Sequence, residues 1–216
     1  MALVDLVCED IRIFLQLSQE IFFNELDFQV HLATSLRASQ HYDDVDVEYY
    51  IPYQILKKYE WKNEVYIDIV VSKDGEFVLV ELKYKTSKVN KLFRRFNEEI
   101  TIDVLKNQAA QNLGKYAFWK DVRRIELVRN RFDAVKNGVA VFLTNDKSYY
   151  DKSKKGNAES IRFSMAEGVH SPDKSWLDSS KLKDNYPSFK VEKEYTIHWN
   201  SLSIMGEMFK YCIVVI

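Results

Sequence analysis

Residues 64–85 read EVYIDIVVSKDGEFVLVELKYK, two β-rich runs flanking Asp74-Gly75. Asp-Gly between alternating hydrophobic runs is a strong hairpin signal, because the favoured two-residue turn needs positive φ at both central positions. Strands are therefore expected over 64–72 and 76–84. A two-residue loop sets Lys73 opposite Glu76, Val71 opposite Val78 and Ile69 opposite Val80. Asp68 then stands opposite Glu81, and a four-residue loop over 73–76 keeps the same register.

Side chains alternate between the two faces of a strand. One face carries Ile67, Ile69, Val71, Val78, Val80 and Leu82, all apolar, and is expected to be buried. The other carries Tyr66, Asp68, Val70, Phe77, Leu79, Glu81 and Lys83, apolar near the turn and charged toward the far end. Directly opposed carboxylates destabilise a sheet. A divalent cation held by oxygen is the economical partner, and Mg²⁺ typically takes one or two carboxylates plus phosphate oxygens and waters. Lys83 shares the face and could orient a water or stabilise developing charge. The alternative is an exposed ion-pair ladder. Against it, Val78-Leu79-Val80 is apolar on both faces, as in a covered central strand.

Outward from the hairpin, residues 3–36 read as one long helix or two, and 45–55 as extended with Pro52 marking an edge or bulge. Residues 98–128 read as a helix, in which Gly114 suggests a close approach to the sheet. Residues 138–144 (GVAVFLT) form a short apolar run suited to a strand covered on both faces. The order α-β-β-β-α-β predicts a mixed sheet with flanking helices, the helix over 98–128 serving as crossover. Residues 146–190, with the run Lys152-Ser153-Lys154-Lys155-Gly156-Asn157, read as a polar insertion, and 194–201 and 209–216 as closing strands. A single α/β domain over 1–216 is expected.

The composition agrees. Of 216 residues, 46% are hydrophobic and 29% charged, ordinary for a globular chain. Only 6 Gly and 3 Pro argue against an all-β protein with many tight turns. A formal net charge of −1 means that nucleic-acid binding needs a local patch. Residues 83–95 offer one: Lys83, Lys85, Lys88, Lys91, Arg94 and Arg95 occur without an Asp or Glu, with Tyr84 and Phe93 interleaved. A solvated loop and helix start is the alternative for that run. No P-loop, GxGxxG, Gly-x-Ser-x-Gly or His-Glu-x-x-His string is present, and the four histidines lack zinc spacing. No apolar run approaches the roughly 18 residues of a membrane helix. Asp5, Glu9 and Asp10 stand where a signal peptide would be basic. Cys8 and Cys212, far apart, suit a reducing compartment, so a cytoplasmic location is expected.

The string Asp68-x12-Glu81-Leu82-Lys83 resembles the core motif of the PD-(D/E)xK nuclease superfamily, with Ile67 where the family pattern has proline. The resemblance spans roughly residues 20–145. It implies a restriction-endonuclease-like core in which Asp68, Glu81 and the Leu82 carbonyl bind Mg²⁺ or Mn²⁺ and Lys83 positions the attacking water. Many members add a glutamate from the helix before the sheet. NELDFQVHLATSLR (24–37) looks like that helix, which makes Glu25 a further catalytic and metal-binding candidate. Helical spacing independently places Glu25, Gln29, Leu32 and Leu36 on one stripe. Gln29 itself reads as a packing residue. Gln108 and Gln111 resemble the glutamine that some members place near the site. The implied function is Mg²⁺-dependent hydrolysis of DNA, with Lys85, Lys88, Lys91, Arg94 and Arg95 as nucleic-acid contacts. A catalytically silent binding module and an interaction protein with no nucleic-acid role are the other readings. A homodimer, suited to duplex cleavage, stays open.

Overall fold

Asp74 and Gly75 take φ of 52° and 78°, and the turn they make joins β2 (Val65–Lys73) to β3 (Glu76–Lys85). The computed structural model describes residues 1–152 and 158–216. In it the hairpin has the expected register, with Lys73 paired to Glu76, Val71 to Val78 and Ile69 to Val80.

β1 (Asp44–Ile51) adds antiparallel to β2, and β6 (Val135–Thr144) lies parallel to β3. β11 (Asn200–Ile204) and β12 (Glu207–Val215) close the other side, giving a six-stranded mixed sheet of order β1-β2-β3-β6-β12-β11. The apolar run at 138–144 is covered on both faces as expected. Val139, Val141 and Leu143 pack beneath α1 (Leu3–Leu17) and α2 (Glu25–Ala38). Ala140 and Phe142 pack beneath α3 (Gln111–Arg131). The protein is thus an α/β fold with three α-helices among the described residues and a mixed main sheet. No helix among the described residues is long and apolar enough to cross a membrane.

Three expectations need correction. The helix begins at Gln111, not near residue 98. Residues Glu98–Leu105 are instead β5, paired antiparallel with β4 (Val89–Arg95) in a separate two-stranded hairpin. Thr101, Ile102 and Val104 suit a strand. The turn hides in the sequence because Phe96 and Asn97 supply its positive φ values, 50° and 70°, without a glycine. The second correction concerns Ile67. It packs with Val70 and Leu79 on the α3 side, away from Ile69, Val71, Val78, Val80 and Leu82. Strict alternation fails at Asp68, across from Glu48, which has φ of 51° and drops out of the β1–β2 ladder.

The third correction concerns the polar insertion over 146–190, whose described residues include short strands and buried aromatic side chains. It contains β7 (Gly168–His170), β8 (Asp173–Lys174) and β9 (Phe189–Lys190), and β7 pairs with β10 (Tyr195–Ile197). Phe163, Met165, Trp176 and Phe189 are buried in the same cluster as Tyr116, Phe118 and Trp119 of α3. Their irregular backbone leaves no periodicity to read. The lysine run, beyond Lys152, lies outside the described residues.

Candidate functional site

The central hairpin forks. Its β2–β3 ladder ends at Ile69–Val80, one step before Asp68 and Glu81. Beyond that point β2 stays with β1 through Ile67–Tyr49 and Val65–Ile51, while β3 stays with β6 from Glu81–Ala140 to Lys85–Thr144. The parting strands leave main-chain groups without ladder partners, and buried groups of this kind must find others. Side chains supply them. Gln29 Nε2 donates to the Asp68 carbonyl at 2.7 Å and to Glu48 Oε1 at 2.8 Å. The Leu82 amide donates to Asp68 Oδ2 at 2.6 Å, and the Tyr84 amide to Glu25 Oε2 at 2.9 Å.

Glu25 is the first residue of α2, behind the N-cap Asn24, whose side chain accepts from the Asp27 amide at 2.8 Å. An acidic residue in a first turn suits the helix dipole. Gln29, Leu32 and Leu36 are buried, which turns the Glu25 stripe toward the sheet. Lys83 Nζ lies 3.4 Å from Glu25 Oε1 and donates to the Leu82 carbonyl at 2.9 Å.

From the opposite face, α3 contributes Asp121 and Arg124. Asp121 Oδ2 is 2.8 Å from Lys83 Nζ, and Asp121 Oδ1 is 2.8 Å from Arg124 Nη2. The same Nη2 lies 2.6 Å from Glu81 Oε1. Glu81 is only 1% exposed, and neither of its oxygens accepts a well-aligned hydrogen bond. Burial pushes its carboxyl well above the usual range, with Arg124 pulling the other way. Burial likewise raises Asp68, against the pull of Lys83 and the Leu82 amide. For Lys83, burial favours the neutral amine, but Asp121, Glu25 and Asp68 outweigh it and hold the ammonium above the ordinary lysine value. Formally, the four carboxylates Glu25, Asp68, Glu81 and Asp121 are matched by the four cations Lys83, Lys85, Lys120 and Arg124.

Asp68, Glu81, Lys83 and Glu25 therefore meet in one cluster. Its donors are oxygens, and Glu81 Oε2 is a buried carboxylate oxygen with no partner, which fits a hard cation. Other expected ligands are engaged elsewhere: the Leu82 carbonyl by Lys83, and Glu25 by the Tyr84 amide and by Lys85 at 3.8 Å. Among the described residues no three His, Cys, Asp or Glu side chains converge at liganding distance. Gln108 and Gln111 stand apart. Gln111 Nε2 reaches Asp146 Oδ2 at 3.3 Å, and the Gln108 amide donates to the Thr86 carbonyl at 3.0 Å.

The basic run is largely compensated. Lys88 pairs with Asp103 at 2.8 Å and Lys91 with Glu207 at 2.6 Å. The Arg95 guanidinium lies 4.9 Å from the ring centroids of both Phe23 and Phe93. Arg94 is exposed and has no ion-pair partner among the described residues. The acids missing from 83–95 come from the returning strand and from β12, so counting charges within one run could not find them.

No family model, curated protein or solved structure matches this chain. The site is read from its own chemistry. Sequence reasoning missed Asp121 and Arg124, although a signal existed. Both sit among Phe118, Val122 and Ile125 at helical spacing, so a charged pair occupies the buried stripe of α3. Charges at such positions are rare unless paired.

Proposed function

We propose that the protein is a Mg²⁺- or Mn²⁺-dependent nuclease that hydrolyses DNA phosphodiester bonds on a restriction-endonuclease-like arrangement of its central sheet. The observation that carries this reading is the convergence of Asp68, Glu81 and Lys83 where the central hairpin forks, with Glu25 entering from α2. Asp68 and Glu81 would hold the metal, with waters completing its shell. When bound, such a cation supplies positive charge beside the scissile phosphate and acidifies water.

The chain's own residues do the rest. The Leu82 amide fixes the Asp68 carboxylate. Asp121 and Glu25 fix Lys83. Asp121, Glu25 and Asp68 favour the ammonium form of Lys83, so it would serve as a donor and not as the base, giving up its Leu82 or Glu25 contact to orient the attacking water.

A second reading has its own support. Arg124 on Glu81 and Lys83 on the Leu82 carbonyl already compensate the site, as in a structural ion-pair network. One set of measurements separates the two. Plasmid and labelled oligonucleotides are incubated with Mg²⁺, Mn²⁺, Ca²⁺ or EDTA, and thermal melts are recorded with and without Mn²⁺. The nuclease cleaves with Mg²⁺ or Mn²⁺ only, and Mn²⁺ raises its melting temperature. Asp68→Asn loses both effects. A wild type that neither cleaves nor gains stability from Mn²⁺ is the ion-pair network.

A further inference from the structure

Glu81 has a single compensating cation within ion-pair distance among the described residues, Arg124. The Arg124 side chain is 13% exposed, and the Nη2 that meets Glu81 is shared with Asp121. Glu81 Oε2 and Arg124 Nε are both buried without a hydrogen-bond partner, so each group has bonding capacity to spare. Arg124 holds Glu81 Oε1, so a divalent cation on the free Oε2 would stand close to the guanidinium, and like charges repel strongly where water is excluded.

We propose that Arg124 sets the metal affinity of the site: it is the built-in counter-cation of Glu81, which an incoming divalent cation displaces and which then pairs with a nucleic-acid phosphodiester. The inference rests on the metal-site reading above. Asp121 keeps the displaced guanidinium at the site, and the phosphodiester gives it the anion it loses when Glu81 turns to the metal. Metal and nucleic acid then favour one another's binding, and such coupling is reciprocal.

The test is Mn²⁺ affinity by electron paramagnetic resonance, with and without a phosphorothioate oligonucleotide that keeps its charge and resists cleavage. Wild type should bind Mn²⁺ weakly alone and at least tenfold more tightly with the oligonucleotide. Arg124→Met should bind Mn²⁺ at least tenfold more tightly than wild type and gain little from the oligonucleotide. Arg124→Lys, which keeps the charge, should stay near wild type. Equal Mn²⁺ affinity in wild type and Arg124→Met overturns the inference and leaves the metal-site reading standing. Absence of Asp68-dependent Mn²⁺ binding in every protein overturns both. Because Arg124→Met strands a buried carboxylate and can unfold the chain, a second measurement uses folded wild type. The Arg124 Nε–Hε resonance, assigned by its loss in Arg124→Lys, should move on Mg²⁺ addition in wild type and stay fixed in Asp68→Asn. An unmoved resonance in a protein that binds Mg²⁺ also overturns the inference.

Discussion

The side-chain amide of Gln29 donates to the main-chain carbonyl of Asp68 at 2.7 Å, so a helix residue takes the place of a missing ladder partner at the fork. Gln29→Leu keeps the volume and removes the donor. Leaving a buried acceptor unsatisfied costs about 1–3 kcal/mol. Urea denaturation should show that loss with an unchanged m-value. Gln29→Glu should lose more at neutral pH, since it adds a carboxylate against Glu48 and the Asp68 carbonyl, and should recover partly in mild acid. Wild-type stability in both variants would remove Gln29 from the support of the fork.

Gly138 of β6 lies directly against Ile125 of α3: a Cβ there would run into Cγ2 of the buried Ile125. Overpacking of this kind costs about 1–3 kcal/mol. Gly138→Ala should therefore destabilise by that amount. Adding Ile125→Leu, which removes the γ2 methyl and keeps the volume, should recover at least about 0.5 kcal/mol in a double-mutant cycle. Strict additivity of the two substitutions would contradict the contact.

Lys174 is fully buried, its Nζ 3.4 Å from the centroid of the Trp119 ring and without a hydrogen-bond partner. Burial pulls its pKa down to about 7 from the usual 10.5, with Asp173 resisting. Between those two values the unfolded chain holds the proton that the folded chain has released, so stability rises with pH across that window. Lys174→Met should lose this slope. It should gain most over wild type below pH 7, where wild type must bury an ammonium. Chemical denaturation at pH 6 and pH 9.5 tests it, and an equal difference between the proteins at both values would refute the assignment.

On the proposed reading, Lys83→Ala should lose about 10²–10³ in single-turnover cleavage while keeping most DNA affinity in Ca²⁺. Arg94→Ala should lower the salt slope of binding by about one unit and leave cleavage of the bound complex unchanged. Lys88→Ala and Lys91→Ala should move the slope less, because Asp103 and Glu207 already hold those charges. If Lys83→Ala and Arg94→Ala behave alike in both assays, Lys83 is only another phosphate contact.

What could be read from the chain follows the range of each interaction. The central hairpin is legible because Asp74-Gly75 and the flanking alternation are local, and so is the stripe of α2 that carries Glu25. The β4–β5 hairpin is not, since Phe96 and Asn97 take positive φ without the usual turn residues. Asp68, Glu81 and Lys83 share one strand pair, so parity brings them near one another. The fork itself is invisible to parity, because it depends on β1 and β6 drawing the two strands apart. Asp121 and Arg124 reach the cluster only through the packing of α3 on the sheet, a contact between segments far apart in sequence.

The fork also divides the molecule by contact order. Asp68 belongs to the β1-β2-β3 meander, whose turns close short loops and cost little chain entropy. Glu81 and Lys83 face β6 and α3 across the long excursion between residues 85 and 135. Non-local pairings of that length cost more loop-closure entropy than the turns of the meander. Until β6 docks, the carboxylate of Glu81 keeps its hydration and α3 has no charges to meet. The desolvation of the cluster therefore depends on closing the excursion between residues 85 and 135, a far longer loop than the Asp74-Gly75 turn of the hairpin.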